Sequence, residues 1–306
     1  MKLLLIAFLC FPILSQAQQP AYRHNAKLTS KLQKILVATG LDSSYDVGEG
    51  VAKQVSVAVI VQAKKPVFAG VRANEFIYPA SIYKMYVAME VLKQVHDGRY
   101  ALDSLYIVRS PNDVDRSKEI ASDPRPLLRA GDTVTVNYLL DLMITRSDNA
   151  AANCLIDLAG RERINKTMIA YGWQGSEVTR KFLSRKLEDP GYENIRGTET
   201  NARHAAEFMW MIETNRLINP WVSMQLKALL ARQLDYSKLA GGFPTGAMFS
   251  HKTGWWSHYT HDVGIVQQNG VTYTLAVFTP VREERLNGRL QLLAQKIHAM
   301  LQKEFQ

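Results

Sequence analysis

SIYKMYVAMEVLKQV, residues 81–95, holds neither glycine nor proline and is apolar on almost every side. A helix that is apolar all round is buried, so this run predicts a core helix, opening at Ser81 two residues after Pro79. Ser81 and Lys84 stand at i and i+3 and share a helix face. A serine needs a base to act as a nucleophile. A lysine can serve if burial and neighbouring positive charge lower its pKa. Ser81 at a helix N-terminus also presents a backbone N–H to a developing oxyanion. Ser-x-x-Lys alone is common by chance, and taken alone it is better explained by an N-capping serine with a surface lysine.

Outward from this helix, the N-terminal side reads as helix over 27–38 and strand over 54–62 (QVSVAVIVQ), with 66–70 as its hairpin partner. The C-terminal side reads as helix from Leu139 to Ala159, interrupted by a polar cluster at 147–149, then helices over 202–213 and 220–234. Strands return at 247–251, 262–267 and 271–279, and a long amphipathic helix runs from about Glu283 to Glu304. Strands at both ends with helices between predict an α+β (α/β) fold. Its antiparallel sheet is built from both termini (about 25–78 and 245–306), flanked by helices, with an inserted all-helical lobe (about 79–244). A cleft between sheet and lobe is the natural ligand site.

The chain has 306 residues. Met1-Lys2, the apolar run Leu3–Leu14 and the small residues Ser15-Gln16-Ala17 form a signal-peptide pattern, cleaved after Ala17. That run is too short to span a bilayer, and no other segment is long enough, so no membrane span is expected. Phe8 and Leu9 are too bulky for lipid attachment at Cys10. The mature part, 18–306, fits one domain, exported to the periplasm or secreted, and a monomer. Cleavage leaves Cys154 as the single cysteine, which excludes an intramolecular disulfide; it reads as a small buried hydrophobe. The net charge of +9 is dispersed along the chain. Such a charge can draw carboxylate substrates, and no nucleic-acid motif accompanies it. His251 and His258 form no metal-ligand pattern, so neither metal nor cofactor is expected.

Two further elements carry chemistry. In Ser147-Asp148-Asn149, Ser147 can pass a proton to a leaving-group nitrogen, and Asn149 can hold a substrate amide and the lysine; these residue types also suit an ordinary helix cap. Lys252-Thr253-Gly254 follows the short strand 247–251. Lys252 would set a cation near Ser147 and a substrate carboxylate, the Thr253 hydroxyl can bind that carboxylate, and Gly254 would let substrate approach the strand. A plain turn after an edge strand is the alternative. The three elements occur once each, in order, 66 and 105 residues apart.

With these elements, PASIYKMYVAMEVL (79–92), TVTVNYLLDLMITRSDNAAANCLIDLAG (133–160), GGFPTGAMFSHKTG (241–254) and HDVGIV (261–266) resemble the class A β-lactamases, within the superfamily of β-lactamases and penicillin-binding proteins. The resemblance spans nearly the whole mature chain. It implies Ser81 as nucleophile, Lys84 as its base, Ser147 as proton shuttle, and Lys252 with Thr253 as carboxylate anchor. The second oxyanion N–H would come from Trp255. It also implies a glutamate on the loop after Ser-Asp-Asn. Matching Val178-Thr179-Arg180 to the loop start puts Arg185 there instead, leaving Glu188 and Glu193 as candidate deacylation bases. The activity implied is a β-lactamase. The alternatives are a D-alanyl-D-alanine carboxypeptidase or another peptidase or esterase, acting on cell-wall peptides, and a penicillin-recognising sensor without turnover. Trp256 and Trp255 either narrow the cleft, stack on ligand, or pack at the sheet edge.

Overall fold

A computed structural model describes residues 21–286 and 288–306. The leader predicted over 1–17 lies outside them. In chain order the N-terminal part holds β1 (Arg23–His24), α1 (Ala26–Ala38), β2 (Ser44–Tyr45), β3 (Lys53–Gln54), β4 (Ser56–Val61) and β5 (Val67–Val71). A 3-10 turn over Ala80–Tyr83 leads into α2 (Lys84–His96). Next come β6 (Leu105–Ile107), β7 (Thr133–Thr135), α3 (Val136–Thr145), α4 (Asn149–Ala159), α5 (Arg161–Ala170), α6 (Ala202–Glu213) and α7 (Pro220–Leu230). The chain closes with β8 (Met248–Trp256), β9 (Tyr259–Gln268), β10 (Val271–Thr279) and α8 (Arg289–Phe305).

The main sheet has six strands in the order β1-β5-β4-β10-β9-β8, antiparallel except for the β1–β5 pair. Strand β4, SVAVIV, is buried along its whole length, because both sheet faces are covered. Val57, Val59 and Val61 point into a core shared with Leu28, Leu32 and Leu36 of α1 and Leu293, Ile297 and Leu301 of α8. Ala58 and Ile60 point the other way, into a core with Phe208 of α6 and the helices of the lobe. Period-two alternation thus sends one apolar strand into two cores.

The active motifs sit where these parts meet. Lys252-Thr253-Gly254 lies inside β8, which runs on to Trp256. The expectation of a short strand ending before it is corrected; pairing with β9 continues through Gly254↔His261 to Trp256↔Tyr259. The last helix also differs. Glu283–Arg285 is a separate 3-10 turn, and α8 begins only after Gly288, whose φ of 73° breaks the helical path. No helix among the described residues is long and apolar enough to cross a membrane.

Candidate active site

The Ser81 turn is held by close packing. Pro79 and Ala80 precede it, and Ala80 takes a left-handed φ of 47°, a conformation that a non-glycine residue adopts only when its surroundings impose it. A Cβ on Gly254 would sit 2.9 Å from the Pro79 carbonyl oxygen and 3.0 Å from the Ser81 nitrogen. Gly254 therefore lets strand β8 lie against the Ser81 turn; the space beside it is filled by the protein's own backbone. Behind this contact, buried His261 accepts from Thr279 N at Nδ1 (3.1 Å), so Nε2 carries the hydrogen and donates to the Tyr78 carbonyl at 2.9 Å. Burial pushes this imidazole down to about 4, so it is a neutral tie between β9 and the Ser81 segment.

Ser147 stands between α3 and α4 with a φ of 63°. Its neighbours fix it there. Asp148 caps α4 by accepting from Ala151 N at 2.8 Å, and wholly buried Arg146 donates to Asp148 through Nη2 at 2.7 Å. Arg146 also donates to the Arg125 and Pro126 carbonyls at 2.7 and 2.8 Å, tying the segment to the loop before β7. Asp115, from the same loop, accepts from Asn149 N, Asn149 Nδ2 and Ala150 N.

Between these walls lie two fully buried lysines. Lys84 Nζ donates to the Ser147 carbonyl, to Ser147 Oγ at 3.2 Å and to Asn149 Oδ1 at 2.8 Å. Lys252 Nζ donates to Ser147 Oγ at 3.0 Å and to its neighbour's Thr253 carbonyl at 2.8 Å. Burial lowers Lys84 to about 8, against the opposing pull of Glu119, Asp115 and Asp148. Burial, with the adjacent Lys84 charge, lowers Lys252 to about 7. Both amines thus titrate far below an ordinary lysine. Thr253 Oγ1 is buried with no hydrogen-bond partner.

Ser81, Asn149 and Trp255 line one cavity of about 540 Å³, together with Phe182 and Trp256. The two indoles stand 45% and 62% exposed at its rim, so they border the cleft rather than pack into the sheet edge. A roomier apolar groove, about 710 Å³ between α7 and β8, contains no residue of the three motifs.

Neither Glu188 nor Glu193 lines the Ser81 cavity. In this arrangement neither carboxylate faces Ser81. Glu188 is buried against Arg161 of α5, which takes its Oε1, while its Oε2 accepts from Lys181 N at 3.1 Å. Glu193 is exposed and accepts from Gly191 N. Arg185 is also exposed, and donates to the Glu193 carbonyl at 3.1 Å. What this loop brings to the site is Phe182, whose ring centre lies 4.2 Å from Lys84 Nζ and stacks on Tyr83 at 4.6 Å. Cys154 is buried, and burial pushes its thiol up to about 12.

Sequence reasoning did not find Asp115, Glu119, Phe182 or Arg161. Each acts through a partner distant along the chain and belongs to no local pattern. His261 stood in a quoted motif, but nothing local assigned it a role.

The profile of the Beta-lactamase enzyme family matches residues 28–301. The chain belongs to this family. It is a serine hydrolase of the class A-like β-lactamase type. It is 26% identical over 229 residues to the extended-spectrum β-lactamase PER-1 of Pseudomonas aeruginosa, covering 70% of this chain and 71% of that one. The fold is similar to PBP-A, with a TM-score of 0.75 at 19% identity over 94% of this chain and 100% of that one. It is also similar to a class A β-lactamase from Bacteroides cellulosilyticus DSM 14838, with a TM-score of 0.73 at 20% identity over 92% and 100%. Within this β-lactamase-family enzyme, Ser81, Ser147 and Lys252 converge from a helix start, a lobe loop and a sheet edge.

Proposed function

We propose that Ser81 is acylated by the carbonyl of a β-lactam ring and that the resulting ester is then hydrolysed. Neutral Lys84 takes the Ser81 proton as Oγ bonds to the carbonyl carbon. The oxyanion accepts from the N–H groups of Ser81 and Trp255. As the ring C–N bond breaks, Ser147 gives its proton to the nitrogen and is resupplied from the lysine pair. Lys252 and Thr253 receive the substrate carboxylate, and Asn149 holds the acyl side-chain amide. One observation carries this reading: Ser147 Oγ lies 3.2 Å from Lys84 Nζ and 3.0 Å from Lys252 Nζ. Those contacts join both amines to the hydroxyl that would protonate the leaving nitrogen.

A second reading has its own support. Phe182, not a carboxylate, meets Lys84 from the loop, and both loop glutamates are engaged elsewhere. A site acylated quickly and deacylated slowly suits a peptidase or carboxypeptidase on cell-wall peptides, inhibited by penicillins. The leader pattern over 1–17 supports export under either reading.

The test is turnover of a chromogenic cephalosporin in large excess over the mature protein. Product far beyond one equivalent per Ser81 establishes the β-lactamase reading. Product halting near one equivalent moves the assignment to the peptidase. Ser81→Ala should abolish covalent labelling by a fluorescent penicillin, and labelling that persists would sink the nucleophile assignment.

A further inference from the structure

Besides Lys252–Ser147, a second side-chain contact crosses the cleft. Trp255 Nε1, on the sheet wall, donates to Glu119 Oε1 at 3.1 Å, on the loop wall opposite. Two cavities meet there. The 540 Å³ cavity holds Ser81, and a smaller one of about 220 Å³ holds Ser147; Glu119, Asn149 and Trp255 line both. The contact therefore partitions the chamber above the nucleophile from the chamber beside the proton relay.

Glu119 is the only carboxylate lining the Ser81 chamber among the described residues. The other acids near Lys84 are committed: Asp115 to Asn149 and Ala150, Asp148 to Arg146 and Ala151. Glu119 is exposed, and among the described residues it has no cationic partner within ion-pair distance. Its charge nevertheless reaches both buried lysines. An anionic acyl donor heading for Ser147, Lys252 and the unpartnered Thr253 hydroxyl must pass this negative charge where the two chambers meet; the cations lining the Ser81 chamber, Arg180 and Lys181, are paired with Glu188 and Asp189. The barrier it poses is mainly one of charge. A single neutral N–H bond holds the side chain, and exposed side chains change rotamer in picoseconds to nanoseconds. Like charges brought together in a partly desolvated cleft repel strongly.

We propose that Glu119, held across the cleft by Trp255, sets the charge preference of the enzyme: it disfavours acyl donors bearing a carboxylate and must swing aside before one can seat on Ser147 and Lys252. This rests on the reading that β-lactams acylate Ser81.

The experiment compares second-order acylation of Ser81 by a cephalosporin with its free carboxylate and by the neutral methyl ester of the same compound. Glu119→Gln removes the charge and keeps an oxygen that can accept the Trp255 N–H. Trp255→Phe removes the N–H and keeps the charge. The anionic-to-neutral rate ratio should rise roughly tenfold in Glu119→Gln and by a smaller factor in Trp255→Phe. Added salt should shrink the difference between Glu119→Gln and wild type. A rise in the Glu119→Gln ratio of less than threefold overturns the proposal, including the case where both donors gain equally, which would make the contact a steric door. A wild type that reacts with neither donor overturns the acylation reading and this inference with it. A wild type that reacts, with a ratio the variant does not move, overturns this inference alone.

Discussion

Lys252 Nζ lies 3.0 Å from Ser147 Oγ, and the same hydroxyl is 3.2 Å from Lys84 Nζ. Two cations this deep in the protein repel each other and both lack water, so the pair holds a second proton poorly near neutral pH. Ser81 requires the neutral member of the pair to be Lys84, with the shared proton on Lys252 beside the incoming substrate carboxylate. Acylation by a penicillin should therefore rise with pH, with an apparent midpoint between about 7 and about 8, measured by stopped-flow labelling. A flat profile from pH 6 to 9 would remove the lysines as the base.

Phe182 tunes that midpoint. Its ring shields Lys84 Nζ at 4.2 Å. Phe182→Ala admits water, which moves the amine back toward 10.5. The lost cation–π contact, worth about 0.5–2 kcal/mol, pulls the other way, but burial is the first cause of the lowered Lys84 value. The acidic limb should move to higher pH, and acylation at pH 7 should fall about three- to tenfold. A limb that moves to lower pH would contradict burial as the dominant cause.

The buried lysines also cost stability. The folded pKa of Lys252, about 7, is lower than the 10.5 of an ordinary lysine. Between those values the unfolded chain binds the extra proton, so this group's stability contribution grows as pH rises toward 10.5 and is lost as pH falls through about 7. Lys252→Met should abolish efficient acylation while stabilising the fold by about 1–3 kcal/mol at pH 7. The gain should fade at pH 10. Urea midpoints at both pH values check this; a loss of stability at pH 7 would show that the lysine's hydrogen bonds outweigh its desolvation.

The elements legible in the sequence were those whose signal is local. Strand β4 showed itself by alternation and its many β-branched residues, and α2 by the fifteen residues 81–95 without Gly or Pro. The three motifs announced the site because each packs chemistry into three or four adjacent residues. Helix α5, RERINKTMIA, went unread because it is mostly polar and buries only Arg161, Ile164 and Met168. The extent of β8 was hidden because Lys-Thr-Gly resembles a turn, and only pairing with β9 makes it strand. The Arg161–Glu188 pair was hidden for the same reason: the two residues lie 27 positions apart, and nothing near Glu188 reveals its partner.

Gly254 offers a sharp test of the close approach between strand β8 and the Ser81 turn. A methyl group there would stand 2.9 Å from the Pro79 oxygen and 3.0 Å from the Ser81 nitrogen. Backbone atoms cannot yield as a flexible side chain can, so the Ser81 turn must shift. Gly254→Ala should destabilise the fold by about 1–3 kcal/mol and slow acylation at least tenfold. Wild-type acylation in this variant would show that the turn tolerates displacement.

Glu188 separates a structural carboxylate from a catalytic one. Its two oxygens are occupied by Arg161 and by Lys181 N, and the pair lies buried. Glu188→Gln leaves an acceptor but removes the charge facing Arg161. Stability should fall by about 1–3 kcal/mol, the worth of a charge-assisted bond in a buried pair. The lifetime of the acyl-enzyme, followed by mass spectrometry after penicillin labelling, should stay within about threefold of wild type, since the lost group touches neither Ser81 nor its cavity. A variant with native stability and an acyl-enzyme at least tenfold longer-lived would reverse this assignment: it would require the 178–196 loop to rearrange around the acylated serine and bring Glu188 to the ester.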